Sequence, residues 1–472
     1  MMRSLFSGVA GLRTHQGKMD VIGNNIANVN TVAYKSNSVT FQELMYQTTS
    51  NASGANQETG RAGVNAKQVG LGVTTGAINT SITTAGASQS TGNPFDIQIT
   101  GNSFFIVNDG SSNYFTRAGS FYVDGVGNLA MTSNGFNVMG WQEDPNNPGT
   151  IKQDTVTPLK IMSAKNMVSE PEMTTKSILS GIIDKNSTAV RSADGQVVNI
   201  SIYDNLGYSY TAKFAVKENG SGTGTYDITV TDLIDSNGYS LVHSKSEKGY
   251  EKTGYDAEGG PGEKGGTYPV TLTLGGSPLK YDTTTGENLN YDANKKETPL
   301  TLAIGNHAGF APTQANPIEI YVGTTTMYDN NGTSTIYGMA GDYDGNYAGR
   351  KVGDMSGVSV QQDGKIYASY DNGTTKLLGQ IAVASFSNPS GLEKIGENLY
   401  QTTMNSGQFD GIGKDVTADG AGSFKSGVLE MSNVDLSQEF TEMITTQRGF
   451  QANSRIITVS DTMLEELTNL KR

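Results

Sequence analysis

The chain has an apolar stripe at helical spacing at each end and only strand-like patterns between them. In residues 3–29, apolar side chains recur every three or four positions, which predicts an amphipathic helix. A second stripe runs from residue 433 to the C-terminal residues without a proline and predicts a long helix of roughly ten turns. Two such helices at opposite ends of a chain are expected to pair as a coiled coil, so that the middle becomes an insertion.

The N-terminal helix is expected to be marginal without a partner. Three interior glycines, Gly8, Gly11 and Gly17, each cost about 1 kcal/mol relative to alanine. A helix of this length is barely stable in water even with a better composition. The side chains that we expect to face the partner helix are Leu5, Val9, Leu12, Met19, Ile22 and Ile26.

A cluster of asparagines interrupts the N-terminal stripe. Asparagine tolerates left-handed backbone, and its side chain hydrogen-bonds neighbouring backbone groups. The cluster therefore predicts a helix stop and a turn, after which residues 31–92 form an extended connecting arm. The residues of this predicted junction motif are Asn24, Asn25, Asn28, Asn30, Tyr34 and Lys35.

The C-terminal helix is expected to begin near Ser432 or Asn433, either of which is a suitable N-cap, with Asp435 in the first turn. Gln447, Ser454 and Asp461 recur every seven residues, and we expect them inside the interface, where polar residues specify register at a cost in stability. The residues expected to serve assembly here are Asn433, Asp435, Leu436, Phe440, Met443, Gln447, Arg448, Phe450, Ile457, Leu464 and Leu467.

The charges of the two ends are complementary. Residues 1–35 carry four basic and one acidic residue, whereas residues 427–472 carry four basic and seven acidic residues. Attraction between them favours pairing of the termini. Packing of both helices on the body of the protein is the simpler alternative.

The pattern of the middle of the chain predicts β-structure. Turn signals at Asn108-Asp109-Gly110, between Asp124 and Asn128, and at Asn134-Gly135 predict successive hairpins, and residues 197–218 predict a hairpin of two good strands. The fold class is therefore multidomain, with mainly β outer domains inserted between the two terminal helices. The predicted segments are 1–30, 31–92, 93–158, 159–345 (one or two lobes), 346–425 and 426–472.

The composition disfavours several classes of binding site and catalytic site. A net charge of -13 disfavours a nucleic-acid surface, and no stretch is long and apolar enough to insert in a membrane. The absence of cysteine excludes disulfides and thiolate sites, and the three histidines are not at metal-ligand spacing. The calcium-like stretch 341–346 has Tyr347 where glycine is required, so a turn is the better interpretation. We expect no metal, no cofactor and no enzyme activity.

A sugar-binding or adhesin protein is the alternative from a different class. Tyr-Asp pairs recur through the middle zone, at 203, 226, 255, 281, 291, 328 and 343. Their irregular spacing is more typical of strands that end in turns than of a binding surface. That alternative predicts a stable monomer with ordered termini.

Four stretches resemble the bacterial flagellar rod and hook proteins. DVIGNNIANVNTVAYKS (20–36) resembles their N-terminal signature, and residues 429–467, from LEMSNVDL to MLEEL, resemble the C-terminal one. YFTRAGSFYVDGVGNLAMTSNGFNVMGW (114–141) and residues 377–407 are similar to the two parts of their β-domain. The motif residues in the first β-domain stretch are Arg117, Gly119, Phe121, Asp124, Gly127, Leu129 and Gly135.

The long insertion between the two β-domain stretches is similar to the hook members of this family, and a distal rod-like subunit is the alternative. The resemblance implies a subunit that polymerises with itself into a curved tube, a universal joint between motor and filament. It also implies export through the flagellar type III apparatus without a cleaved signal, with termini that pair only on assembly. Distal rod, hook cap and hook-filament junction proteins are the other implied partners, at the extracellular hook and basal body.

Overall fold

The computed structural model describes residues 2–55, 60–220, 222–255, 269–276, 278–290, 298–418 and 422–470. The chain divides into two compact units. Unit 1 comprises Met1–Met167, Gly357–Ser369 and Thr375–Arg472, and unit 2 comprises Val168–Ser356 and Tyr370–Thr374. The two ends of the chain therefore belong to the same unit.

Two helices occupy the chain ends, as the sequence predicts. Helix α1 spans Met2–Ala27 and α2 spans Leu436–Asn469. The expected N-cap is wrong by two or three residues, because the side chain of Asp435 accepts hydrogen bonds from the backbone N–H groups of Ser437 and Gln438. Among the described residues, no helix has the length and hydropathy needed to cross a bilayer.

The segment after α1 forms short two-stranded ribbons. Strand β1 pairs with β4 and β2 with β3, both antiparallel, while β5 pairs with a strand just before α2. Most side chains of these ribbons are exposed. A two-stranded ribbon is only marginally stable in water by itself, so these strands gain from packing on other elements. Their bounds are β1 Asn37–Glu43, β2 Tyr46–Ser50, β3 Lys67–Gly70, β4 Val73–Thr80 and β5 Ser88–Ser90.

The body of unit 1 is a β-sheet with successive hairpins. It contains β7 Phe104–Asn108, β8 Asn113–Thr116, β9 Phe121–Val123, β10 Leu129–Met131, β11 Asn137–Gln142 and β12 Thr157–Pro158, whereas the preceding strand β6 Ile97–Gly101 lies outside this sheet. The three predicted hairpin turns are confirmed, because β7 pairs with β8, β9 with β10, and β10 with β11. The single tryptophan, Trp141, lies 2% exposed in the core of this sheet.

Unit 2 consists of two sheets around one core. One sheet has the order β18-β20-β21-β14-β22 and the other β15-β16-β17-β19. The predicted hairpin at residues 197–218 is confirmed as β15 and β16. The strand bounds are β14 Lys176–Ile183, β15 Gln196–Tyr203, β16 Ser209–Glu218, β17 Thr225–Asp235, β18 Thr271–Gly275, β19 Leu279–Lys280, β20 Leu300–Gly305, β21 Ile318–Met327 and β22 Tyr337–Ala340, and the short strand β13 Val168–Ser169 lies outside both sheets.

The chain then returns to unit 1 and completes its sheet. Strand β25 pairs with β11, and β28 with β8, so the first and last parts of the β-domain share one sheet. Strand β29 pairs with β6. The bounds are β23 Gly353–Val360, β24 Lys365–Tyr370, β25 Thr375–Ile381, β26 Val383–Ala384, β27 Glu393–Gly396, β28 Leu399–Gln401, β29 Gly422–Ser426 and β30 Val428–Glu430.

Substitution of Gly119 by alanine tests the packing of unit 1. A Cβ at this position would overlap the carbonyl oxygen of Ile97 and lie 3.1 Å from the ring of Phe105. We expect Gly119→Ala to lower the free energy of unfolding by about 1–3 kcal/mol, because overpacking forces the backbone to move. Urea unfolding followed by Trp141 fluorescence measures this. Gly125→Ala is the matched control, since a Cβ there meets open space, and equal stability of the two variants would contradict the prediction.

Candidate functional site

The terminal helices lie against each other in an antiparallel arrangement, and glycines make the contact close. A Cβ on Gly8 would lie 3.3 Å from Ile457, and one on Gly11 would lie 2.6 Å from Asn453. On α2, a Cβ on Gly449 would lie 2.7 Å from the ring of His15. Glycines that are costly in an isolated helix thus allow the two backbones to approach.

The contact follows a seven-residue pattern on both helices. On α1 the residues that face α2 recur at alternating steps of three and four; they are Gly8, Gly11, His15, Lys18, Ile22 and Asn25. On α2 the half-buried apolar residues Met443, Phe450, Ile457 and Leu464 recur every seven positions. Small or polar residues on the adjoining positions show the same spacing; they are Thr446, Asn453 and Ser460.

Most of the side chains predicted for the N-terminal interface lie beside the contact between α1 and α2 and are not its central residues. Only Ile22 is fully buried in the single chain. Leu5, Leu12, Met19 and Ile26 are half-buried and also recur every seven residues, on the flank of the contact. Val9 is 37% exposed.

Several residues predicted for the C-terminal interface are exposed in the single chain. Gln447, Ser454 and Asp461, each one position after a small residue that faces α1, are exposed, and Arg448 is exposed as well. Further apolar residues on more than one side of α2 are also left open, and they are 38–80% exposed: Leu436, Phe440, Ile444, Ile456, Val459, Met463, Leu467 and Leu470. Within one described chain, α2 therefore uses only part of its apolar surface.

Polar contacts fix the register of the helix pair. Nζ of Lys18 lies 3.1 Å from Oε2 of Glu442, so the expected attraction between the termini includes a direct ion pair. Nearer the junction, Nδ2 of Asn25 donates to Oε1 of Glu439 at 2.8 Å. Burial raises the pKa of Glu439, although this hydrogen bond opposes the shift.

Asn25 connects α1, the arm and α2. Its Nδ2 also donates to the carbonyl oxygen of Asn37 at 2.8 Å, and its Oδ1 accepts from the backbone N–H of Asn37 at 3.0 Å and from the hydroxyl of Tyr34 at 3.2 Å. The side chain is 1% exposed and makes all four hydrogen bonds available to an amide. Asn25 is thus a connector inside the helix, not a turn former.

The other asparagines take separate roles. Nδ2 of Asn28 donates to the carbonyl and side-chain oxygens of Asn24, which closes the last turn of α1, and Asn30 is exposed. The left-handed residue of the following turn is Ala33, with φ 56°. The left-handed residue is thus an alanine and not one of the asparagines, and the buried surroundings of Ala33 hold the strained backbone in place.

A buried carboxylate joins four segments of unit 1. Oε1 of Glu430 accepts from Nζ of Lys35 at 2.7 Å and from the backbone N–H of Gly86 at 3.0 Å, and Oε2 accepts from Nε of Arg117 at 3.2 Å. The three charged side chains are each at most 1% exposed. The contact unites the end of the α1 turn, the arm, the β-domain and the strand before α2. Glu430 was not among the predicted residues.

Hydrogen bonds complete the shell of these charges. Nζ of Lys35 also donates to the carbonyl oxygen of Thr84 at 2.7 Å, and Arg117 donates to those of Ser103 and Ile99 at 3.1 and 3.3 Å. Burial raises the pKa of Glu430, but the Arg117 guanidinium and the Lys35 ammonium outweigh it and leave the pKa lowered. Burial lowers the pKa of Lys35 against the opposing effect of Glu430.

Asn433 ties the approach to α2 to the arm. Its Oδ1 accepts from the backbone N–H of Ser36 at 2.8 Å, and its Nδ2 donates to the carbonyl oxygens of Ser81 and Thr84 at 3.0 and 3.2 Å. We define the junction cluster as Asn25, Tyr34, Lys35, Arg117, Glu430 and Asn433. The structure thus brings together residues from three predicted motifs, the N-terminal, C-terminal and β-domain ones.

The remaining β-domain motif residues shape hairpin turns and the core. Phe121 and Leu129 are buried, and Gly127 and Gly135 adopt φ 92° and 74°. Hydrogen bonds from Asn128, mainly from its backbone N–H, hold the pKa of Asp124 below its ordinary value.

The Tyr-Asp pairs do not line one surface. Tyr226 and Tyr281 lie in the core of unit 2, whereas Tyr328 and Tyr343 are exposed. Asp256 and the pair at 291–292 lie outside the described residues. In the described part of the chain, no group of three histidine, aspartate or glutamate side chains is placed to hold a metal ion.

Three regions of the chain match protein families. Residues 5–35 match the flagella basal body rod protein family, and residues 98–178 match the flagellar hook protein FlgE/F/G D1 domain. Residues 425–470 match the flagellar basal body rod FlgEFG protein C-terminal family. Together they contain every residue of the junction cluster and define the chain as a flagellar axial protein.

Known flagellar proteins are similar to this chain over its whole length. The flagellar hook protein FlgE of Borreliella burgdorferi is 36% identical over 100% of both chains, and that of Treponema pallidum is 35% identical over 100% of both. The crystal structure of Helicobacter pylori flagellar hook protein FlgE2 has a TM-score of 0.40 and 13% identity, covering 73% of this chain and 100% of that one, too low to bear on the fold. The chain belongs to the FlgE family of flagellar hook proteins, and its full-length match with these relatives favours this over a rod-like subunit.

Gly449 tests whether the helices need their close contact. Alanine in place of glycine raises helix propensity by about 1 kcal/mol, but at this position its Cβ would overlap the His15 ring. We expect Gly449→Ala to lower the melting temperature of the helical circular-dichroism signal, whereas Gly17→Ala, which meets open space, should raise it. If both variants raise this melting temperature equally, the close contact at Gly449 does not stabilise the helix pair.

Glu430→Gln tests the junction cluster. The change leaves two buried cations without their counter-charge, and we expect it to lower the free energy of unfolding by about 3–5 kcal/mol. Trp141 fluorescence during urea unfolding measures the loss. Glu393→Gln, at an exposed position of β27, is the control and should change stability by less than about 0.5 kcal/mol.

The lowered pKa of Glu430 predicts that the loss of stability caused by Glu430→Gln depends on pH. A carboxyl group whose pKa is lowered by folding stabilises the protein above its unfolded pKa of about 4.3, and this contribution disappears as the pH falls through the folded value. The stability difference between the native chain and Glu430→Gln should therefore be largest near neutral pH and shrink below about pH 4. A difference that stays constant as the pH falls well below that value would contradict the ionised state of Glu430.

Proposed function

We propose that this chain is the structural subunit that assembles helically into the flagellar hook, a curved and flexible tube. The tube acts as a universal joint that transmits torque from the rod to the filament. The observation that carries this proposal is the helix pair, which buries one face between the chain ends and leaves other apolar residues of α2 exposed. Exposed apolar residues along so much of one helix mark a surface that further copies of the subunit can cover.

The proposal assigns a layer to each segment. The terminal helices, in residues 1–30 and 426–472, pair as a coiled coil and form the inner tube, and the arm 31–92 reaches neighbouring subunits. Residues 93–158 and 346–425 form the β-domain outside them, and 159–345 form one or two inserted outer β-domains. The seven-residue spacing of the helix contact supports the coiled coil.

A universal joint needs contacts that slide as well as contacts that hold. Each row of subunits shortens on the inner side of the bend and lengthens on the outer side once per revolution. Polar, hydrated contacts between outer domains permit sliding, whereas a dry apolar interface resists it. The concentration of open apolar residues on α2 supports a division in which the inner layer holds the tube together.

Its site of action in this proposal is the hook and basal body of the bacterial flagellum. The subunit leaves the cell through the flagellar type III apparatus without a cleaved signal and joins distal rod, hook cap and hook-filament junction proteins. No catalytic step belongs to this function. The helices are packed together within one chain here, so their pairing only upon assembly stays a prediction about the free subunit.

Deletion of residues 437–472 separates assembly from folding. Without α2, the inner layer loses its paired helix and the exposed apolar residues of that helix, and we expect no tubes by electron microscopy in salt that polymerises the full chain. Trp141 fluorescence should still report a folded β-domain, because the tryptophan lies in the sheet core. Tubes formed by the truncated chain would contradict the proposed function.

A further inference from the structure

One histidine lies where α1, α2 and the arm meet. The ring of His15, on α1, packs edge-to-face against Phe41 of β1, with centroids 5.4 Å apart and planes at 85°. On α2, a Cβ added to Gly449 would come within 2.7 Å of Cε1 and 2.8 Å of Nε2 of the same ring. His15 therefore fills the space between the three elements and joins their packing.

The buried ring nitrogen of His15 has no acceptor for a proton. Its Nδ1 is shielded from solvent and has no hydrogen-bond partner in the described part of the chain. A neutral imidazole can leave a bare lone pair there, because the other ring nitrogen carries the hydrogen. A protonated imidazole carries an N–H on both nitrogens, so protonation would bury a charged donor without an acceptor, which is costly.

The charges on α1 also disfavour protonation of His15. Lys18 lies about one turn further along the helix, and its Nζ is 5.9 Å from the centre of the Phe41 ring that His15 contacts. Burial of the ring, together with the positive charge of Lys18, lowers the pKa of His15. Arg13 and Asp20, the adjoining charges in the sequence of α1, are exposed.

The other elements do not supply a compensating carboxylate. On α2, Glu442 is bound by Lys18 at 3.1 Å, and Arg448 adds an exposed positive charge. On β1, Glu43 is exposed and accepts a hydrogen bond from the hydroxyl of Tyr46 at 2.6 Å. Strand β4, which also packs on α1, has no titratable side chain.

We propose that His15 is a pH-sensitive switch: its neutral form holds α1, α2 and the arm together, and its protonated form loosens them. In the closed state the neutral ring occupies the space that the absent side chain of Gly449 leaves. Protonation favours a state in which the helices separate and water reaches the ring. The inference goes beyond the proposed function, because it concerns closure of the helix pair within one chain and not contacts between copies.

The direction of the pH effect follows from which state binds the proton more tightly. A histidine in the separated state has a pKa of about 6.5, and the pKa of His15 in the closed state is lower. Above about pH 6.5 both states are neutral, and the closed state has its full stability. As the pH falls, the separated state gains the proton first, so stability is lost until the pH passes the lowered pKa. The raised pKa of Glu439 has the opposite effect and cannot cause this loss.

Urea unfolding of the full chain, followed by the helical circular-dichroism signal at about pH 7.5 and about pH 5.5, tests the switch. Between these values we expect the equilibrium constant for loss of the helical signal to rise about three- to tenfold in the native chain. In His15→Phe, whose ring fills similar space and cannot be protonated, we expect a change of less than about twofold. His243→Gln is the matched control, because it removes a histidine of unit 2 that pairs with Glu247. This control should keep the full pH dependence.

A second neutral variant keeps the test decisive if His15→Phe does not fold. His15→Gln cannot be protonated either, and it should show the same loss of pH dependence. An equal pH dependence in the native chain and in a folded neutral variant, or none in the native chain, would overturn the switch. Loss of the pH dependence in His243→Gln would overturn it as well. Each of these results leaves the proposed function intact, because tube formation is not what is measured.

Discussion

The structure of unit 1 depends on one buried carboxylate, that of Glu430, which receives Lys35, Arg117 and a backbone N–H of the arm. Two cations and an anion removed from water gain little net stability, because their desolvation cost is close to their mutual attraction. What they gain is specificity, since any other arrangement leaves a charge buried without a partner. The two ends of the chain meet here through residues almost 400 positions apart, |i−j| = 395.

The helix pair extends from this fixed point. With the junction cluster holding the base of both helices, glycines bring their backbones close, and the Asn25–Glu439 and Lys18–Glu442 contacts set the register. Small and polar residues on α2 face α1 beside a half-buried apolar series, so the internal contact uses only part of the apolar surface of that helix. The remaining surface is available for other copies, which accounts for a subunit that both folds and polymerises through the same two helices.

Local patterns predicted the local structure well. The turn signals predicted the hairpins of the β-domain and of residues 197–218, because a turn and its flanking strands depend on neighbours in sequence. Both helices follow from their spacing of apolar residues. The N-cap was placed too early, because Ser432, Asn433 and Asp435 are all good caps and only the backbone path selects Asp435.

The two terminal helices, the hairpins between them and the family could all be predicted from the residues, since each depends on a contiguous pattern. Which face of each helix forms the contact follows instead from packing between distant parts of the chain. Apolar spacing favoured Leu5, Leu12 and Met19, whereas close packing selected Gly8 and Gly11, because a short distance between backbones requires the absence of a side chain. Likewise, the role of Glu430 arises from distant residues that meet in space, and nothing in its local sequence distinguishes it from a carboxylate at the surface.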